Sequence, residues 1–155
     1  MIAYLIGTAA FAADYASKRW AERSLELNGD KRPVFGGRLF LYRIENRGTA
    51  GGHLADRGSL PLILSGTALA AAAVHQHRTR KESSTLTRIG SSLIMAGGLG
   101  NLCDRVRRGA VTDFAAVRHR DGTIGRYVYN AADAAIAAGA AAIILGECLG
   151  EKKKA

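Results

Sequence analysis

Four stretches of this chain are almost free of charge, and polar segments separate them. They run from about Ile2 to Trp20, where Asp14 is the first charge, from about Ser59 to His77, from about Leu86 to Arg105, and from about Asn130 to Leu149. Each would give a helix of roughly 28–30 Å, enough to cross a hydrocarbon core. Pro61 falls in the first turn of its segment, where a missing N–H does no harm. The second and fourth segments are rich in alanine, a weak contributor to insertion, so a soluble helical bundle is the competing reading. Gly97-Gly98-Leu99-Gly100, Ala135 with Gly139, and Gly139 with Ile143 tilt the balance. Small residues at these spacings give smooth helix faces, which helices need where lipid supplies no hydrophobic drive between them. The pattern predicts a mainly α, integral membrane protein: one domain over residues 1–155, built as a four-transmembrane-helix bundle with a small extracytoplasmic β-sheet.

That sheet comes from the polar connections. Arg38 to Ile44 alternates as a short strand, and Val117 to Arg120, Asp121-Gly122 and Ile124 to Tyr129 read as a β-hairpin with a two-residue turn. Both connections fall on the same side of the bundle and can pair there. The other side holds the linker Gln76 to Thr87 and the Lys152-Lys153-Lys154 tail, denser in Lys and Arg than the first long loop. The second long loop, with Arg105, Arg107 and Arg108, is nearly as basic, so the asymmetry favouring both termini in the cytoplasm is slight. The first segment lacks a basic leader and a cleavage site, so it is expected to remain as a helix.

Composition narrows the partners. A net charge of +9 suits nucleic acid or anionic lipid, but aromatic residues make up 6% and the basic residues lie between apolar segments rather than among aromatics. Membrane phospholipids are the expected partner, and nucleic acid is not. A peripheral helical protein held on anionic lipid by charge alone is an alternative that high salt would release. Cys103 and Cys148 make no metal pattern and are predicted to be packing residues, roughly 20 Å apart on antiparallel helices and so too distant for a disulfide. His53, His75, His77 and His119 show no ligand spacing. No metal and no cofactor is expected.

The candidate chemistry rests on carboxyls and amides beside apolar segments, where a lone charge is costly. Asp113 and Asp133 each stand at the mouth of such a stretch. Two carboxyls brought together there resist double ionisation and can share a proton, giving one acid and one base for hydrolysis by water. Plainer uses exist for each residue: helix capping for Asp113, Asn130 and Asp133, turn chemistry for Asn46, and an i,i+4 ion pair for Asp14 and Lys18. Capping and headgroup contact would serve for Asn101, Asp104 and Arg105.

In order, however, Asp14-x-x-Ser17-Lys18, Asn46-x-Gly48-x-Ala50, Gly97-Gly98-x-Gly100-Asn101-x-x-Asp104-Arg105, Val111-x-Asp113-Phe114 and Tyr129-Asn130-x-Ala132-Asp133 form one pattern. With these spacings it resembles the bacterial lipoprotein signal peptidases (signal peptidase II), over about Asp14 to Ile136. The resemblance implies a membrane aspartic endopeptidase of the bacterial inner membrane, multi-pass, with its site on the extracytoplasmic side. It would remove the signal peptide from diacylglyceryl-modified prolipoproteins, cutting before the lipidated cysteine. The family's catalytic pair falls on Asp113 and Asp133, and its other positions around the site match Asp14, Lys18, Asn46, Gly97, Asn101, Arg105 and Asn130. Two departures stand out: Gly51-Gly52 where the family carries a bulky aromatic, and Tyr129 in place of Phe. The first motivates one alternative, a non-cleaving membrane paralogue that binds lipidated peptides.

Overall fold

A long central helix organises the chain. The computed structural model describes residues 1–48, 58–79, 81–119 and 121–151. Gly51, Gly52, His53, Arg120 and the Lys152–Lys154 tail lie outside the described residues. The described elements are α1 (Ile2–Ser24), β1 (Arg32–Val34), a 3-10 turn (Phe35–Gly37), β2 (Leu39–Asn46), α2 (Leu60–Thr79), α3 (Thr85–Arg108), β3 (Val111–Arg118), β4 (Ile124–Tyr129) and α4 (Ala131–Glu151). Helices α1, α2 and α4 all pack on α3. The apolar segments therefore become helices as expected, each extended by up to four residues beyond its apolar stretch at one or both ends.

Ser84 starts α3 by accepting the Thr87 amide at 3.1 Å. Gly109 ends it with φ 72°, donating its N–H to the Arg105 carbonyl at 2.9 Å. This left-handed cap suits glycine. It turns the chain within two residues into β3, so Asp113 lies on a strand and not at the start of a helix. That corrects the capping use considered for it. Ala115 and Ala116 weaken the strand signal, and this is why the hairpin was expected to begin only at Val117.

The sheet is antiparallel in the order β1-β2-β3-β4, so both long connections do meet in one sheet. Asn46 pairs with Val111 and Ile44 with Asp113. Strand β1, not anticipated from the sequence, carries Pro33 at the sheet edge, where a missing donor is tolerated. The β3–β4 loop runs from His119 to Thr123, whose carbonyl accepts the His119 amide at 2.8 Å, and so is longer than the two-residue turn expected.

The interior is small and polar. Its buried apolar residues are mainly alanines, among them Ala3, Ala21, Ala96, Ala110, Ala116 and Ala132, while Lys18 and Asp14 are among the largest fully buried side chains. Large apolar side chains instead face outwards: Leu5 on α1, Ile63 on α2, Ile144 and Leu145 on α4. Soluble domains bury such residues. Among the described residues, one helix, spanning Ala131–Leu149, is long and apolar enough to cross a membrane on those counts alone, with mean hydropathy 1.7. Helices α1 and α3 carry charges, several of which pair internally, while α2 has only Arg78 and is diluted by alanine and by His75, Gln76 and His77. Cys103 and Cys148, expected as packing residues, are free and exposed. Both lie on outward helix faces, and helical spacing alone could not show which face packs.

Helix α4 lies against α3 through glycines. A Cβ on Gly90 would sit 2.5 Å from the Gly139 carbonyl oxygen, and one on Gly139 equally close to that of Gly90. One on Gly97 would meet the Ala132 carbonyl at 2.5 Å. Backbone cannot yield as a flexible side chain can, so Gly139→Leu is expected to destabilise the protein by roughly 1–3 kcal/mol or more. Gly66→Ala in α2, where a Cβ meets nothing within 4 Å, should be neutral or slightly stabilising. Thermal unfolding in detergent compares the two variants. Equal melting points would overturn the close-contact explanation.

Candidate active site

Three local devices bring the polar residues together. Four-residue spacing puts Asp14 and Lys18 on one face of α1, with Lys18 Nζ 2.8 Å from Asp14 Oδ2. On α3, Asn101, Asp104 and Arg105 share the face turned towards α1 and the sheet. At the start of α4, Asn130 and Asp133 cap each other. The Asp133 amide donates to Asn130 Oδ1 at 3.0 Å, and the Asn130 amide donates to Asp133 Oδ2 at 3.1 Å. This is a capping box with Asn and Asp in its two places.

The amides connect the carboxyls. Asn130 Nδ2 donates to Asp113 Oδ1 at 2.6 Å, and Asn46 Nδ2 donates to Asp113 Oδ2 at 3.1 Å. Asn101 Nδ2 donates to Asp133 Oδ1 at 3.1 Å. The Asn101 side-chain oxygen accepts from Lys18 Nζ at 2.9 Å and from Asn130 Nδ2 at 3.2 Å. Asn130 thus touches both aspartates, through its side chain and through its backbone. Asn46 also serves its turn, accepting the Gly48 amide at 3.0 Å. Arg105 donates to the Gly48 carbonyl at 2.7 Å and so fixes the end of β2 to α3.

Asp113 and Asp133 line one cavity of about 600 Å³ together with Asn46, Asn101, Arg105, Val111, Tyr127, Val128, Tyr129, Ile136, Ala137 and Ala140. Ile136, Ala137 and Ala140 follow Asp133 at i+3, i+4 and i+7, so helical spacing puts them on its face and makes an apolar wall. That spacing is readable in the sequence. Gly97 stands apart from the cavity lining and serves the α3–α4 contact.

Burial pushes the Asp113 carboxyl up to about 6, and the neighbouring Asp133 charge pushes the same way, while hydrogen bonds from Asn46 and Asn130 oppose them. Behind the cavity lies a second layer. Lys18 Nζ also stands 3.2 Å from Asp104 Oδ2. Asp104 pairs with Arg108 at 2.6 Å, and Arg108 in turn pairs with Glu22. Glu22 accepts the Thr112 hydroxyl at 3.2 Å. Nothing in the sequence pattern marked Glu22, Arg108 or Thr112.

A carboxyl raised on folding takes up a proton more readily than in the unfolded chain. Its stability contribution is therefore fully present below about 4 and is lost as pH rises through about 6. The shift corresponds to about 3 kcal/mol. Melting wild type and Asp113→Asn between pH 4 and 7 in detergent should show this decline in the wild type and a flatter curve in the variant. Parallel curves would count against the raised carboxyl.

The sequence model of one family, described as signal peptidase (SPase) II, matches residues 6–149. A protein of Geobacter sulfurreducens named lipoprotein signal peptidase is 35% identical over 145 residues, which are 92% of this chain and 88% of that one. Another of the same name from Geobacillus thermodenitrificans is 32% identical over 139 residues, 90% of this chain and 84% of its own. Two solved structures described as bacterial membrane enzymes share the fold. One has a TM-score of 0.81 at 24% identity, covering 99% of this chain and 92% of its own. The other has 0.74 at 26% identity, covering 93% and 90%.

Proposed function

Because this chain belongs to the signal peptidase II family, and is by that membership a membrane aspartic peptidase that removes signal peptides from prolipoproteins, we propose that Asp113 and Asp133 are its catalytic pair. The observation that carries this reading is one residue, Asn130, bonded to both carboxyls, which line one cavity together with the apolar Ile136, Ala137 and Ala140. Asp113, the carboxyl raised by burial, holds the shared proton, and Asp133 is the base. Asp133 takes a proton from water as the water oxygen attacks the scissile carbonyl carbon. Asp113 meanwhile gives its proton to the carbonyl oxygen, forming a tetrahedral diol. Asp133 then passes its proton to the peptide nitrogen, and the C–N bond breaks. The new acid and amine leave as one diol proton returns to Asp113, restoring the starting state.

Asn46, Asn101 and Asn130 orient the two carboxyls, Arg105 holds Gly48 at the end of β2, and Asp14 with Lys18 braces the site. Gly97 lets α4 approach closely enough for Asp133 to reach it. The substrate is a prolipoprotein bearing diacylglycerol, cut just before the lipidated cysteine. Ile136, Ala137 and Ala140 offer its acyl portion an apolar wall. Outward-facing Leu5, Ile63, Ile144 and Leu145 support four helices in lipid, and the Lys- and Arg-dense linker at the other end supports the sheet on the extracytoplasmic side. The Asp14–Lys18 and Asp104–Arg108 pairs make the charges of α1 and α3 tolerable there.

Asp113→Asn and Asp133→Asn should each lower cleavage of a diacylated precursor by on the order of 1,000-fold, and Asp104→Asn by less than Asp113→Asn. A cleavage assay in detergent decides this. Wild-type rates in either of the first two variants would overturn the pair, and an uncut complex accumulating with wild type would favour the binding paralogue. In the wild type, kcat/KM should fall as pH rises through about 6, where the shared proton is lost. A profile flat from pH 5 to 8 would contradict a shared proton.

A further inference from the structure

The Lys18 ammonium is buried between two carboxylates, and each of these holds a backbone amide with a particular address. Asp14 Oδ1 accepts the Ala132 N–H at 2.8 Å, and Ala132 immediately precedes Asp133. Asp104 Oδ2 accepts the Thr112 N–H at 3.3 Å, and Thr112 immediately precedes Asp113. Lys18 Nζ lies 2.8 Å from Asp14 Oδ2 and 3.2 Å from Asp104 Oδ2. The two amides belong to different elements, the first turn of α4 and the first turn out of α3 into β3. Among the described residues no backbone–backbone hydrogen bond joins Thr112 to Ala132. The pairing of Tyr129 with Ala115 and the Asn130–Asp113 bond tie the start of α4 to β3, and α1 adds a third tie, which meets both backbones directly before the aspartates.

We infer that Asp14, Lys18 and Asp104 form a clamp that fixes the spacing between the backbones carrying Asp113 and Asp133, with Asp104 a positioning residue for the peptidase. The inference rests on the catalytic pair proposed above. A second arm of the clamp points at the same target. Lys18 donates to Asn101 Oδ1, so the Asn101 amide must turn its NH2 outwards, and that NH2 donates to Asp133. Removing the Asp104 carboxylate frees the Thr112 amide and leaves Lys18 with one anionic partner. The Thr112 end of β3 can then shift relative to the first turn of α4, while the pairing with β4 still holds β3 from Ala115. Displacement of a reacting group by about 1 Å costs on the order of 100-fold in rate. Substrate binding to the cavity wall does not pass through the clamp, so the loss should fall on kcat.

The test compares full-length wild type, Asp104→Ala, Asp104→Asn, Asp113→Asn and Asp133→Asn in detergent with a diacylated precursor peptide. Asp104→Ala should lower kcat by roughly 10- to 100-fold with KM within about two-fold. Its alkaline limb should also move below that of the wild type, because carboxyls further apart repel less. The groups facing Asp113 are Asp133 from α4, Arg105 from α3 and Lys18 from α1, and a Lys18 released from Asp104 moves the limb in the same direction, so the loss in kcat at unchanged KM carries the test. A folded Asp104→Ala enzyme with wild-type kcat, with a change in KM alone, or with an unmoved limb would overturn the clamp. Should Asp104→Ala fail to fold, Asp104→Asn decides. It keeps an oxygen for Thr112 but loses the charge that holds Lys18, so a several-fold drop in kcat with a moved limb supports the clamp and wild-type behaviour overturns it. Full activity in Asp113→Asn or Asp133→Asn would instead sink the catalytic pair itself.

Discussion

Lys18 is 2% exposed, with its ammonium held between Asp14 and Asp104. An unpaired charge in that place would be several kcal/mol too costly to keep. Paired, it turns a liability into geometry, because each of the three groups has hydrogen bonds left over. Those remaining bonds reach the start of α4, the start of β3 and the side chain of Asn101. Helix α1 contributes no group to the cavity lining, yet its single lysine ties together α3, β3 and the start of α4, three of the four elements that supply the carboxyls and amides.

The polar interior has a counterpart in the small-residue contacts. With alanine and glycine at the helix crossings, backbones lie close and leave little apolar side chain inside. Such packing draws on dispersion and polar bonding rather than on the removal of apolar surface from water, which is the balance expected in lipid. It also leaves α4 a face of small side chains beside Asp133.

Asn130 and Asp133 show how a structural motif and a proposed chemical one occupy the same atoms. Their reciprocal capping satisfies amides that any helix start leaves without partners. It also orients the Asp133 carboxyl and leaves the Asn130 side-chain amide directed at Asp113. Capping was one use weighed for these residues and catalysis another. The geometry makes them compatible.

Sequence alone determined the four helices, the strand around Leu39–Ile44 and the hairpin ending at Tyr129, because helical spacing, alternation and turn residues are local signals. The ordered motif around Asn101, Asp113 and Asp133 was equally legible. Strand β1 and the early start of β3 were not, since Pro33 and paired alanines hide strand character that only the neighbouring strand supplies. Nor could spacing show which faces Cys103 and Cys148 occupy, or that Glu22 reaches Thr112. Tertiary structure alone decided that Asp14 and Asp104, 90 residues apart, would meet on one ammonium and hold the amides before the two proposed catalytic aspartates. Hydrogen bonds to backbone depend on where a chain passes and not on which side chain it carries, so no residue pattern announces them.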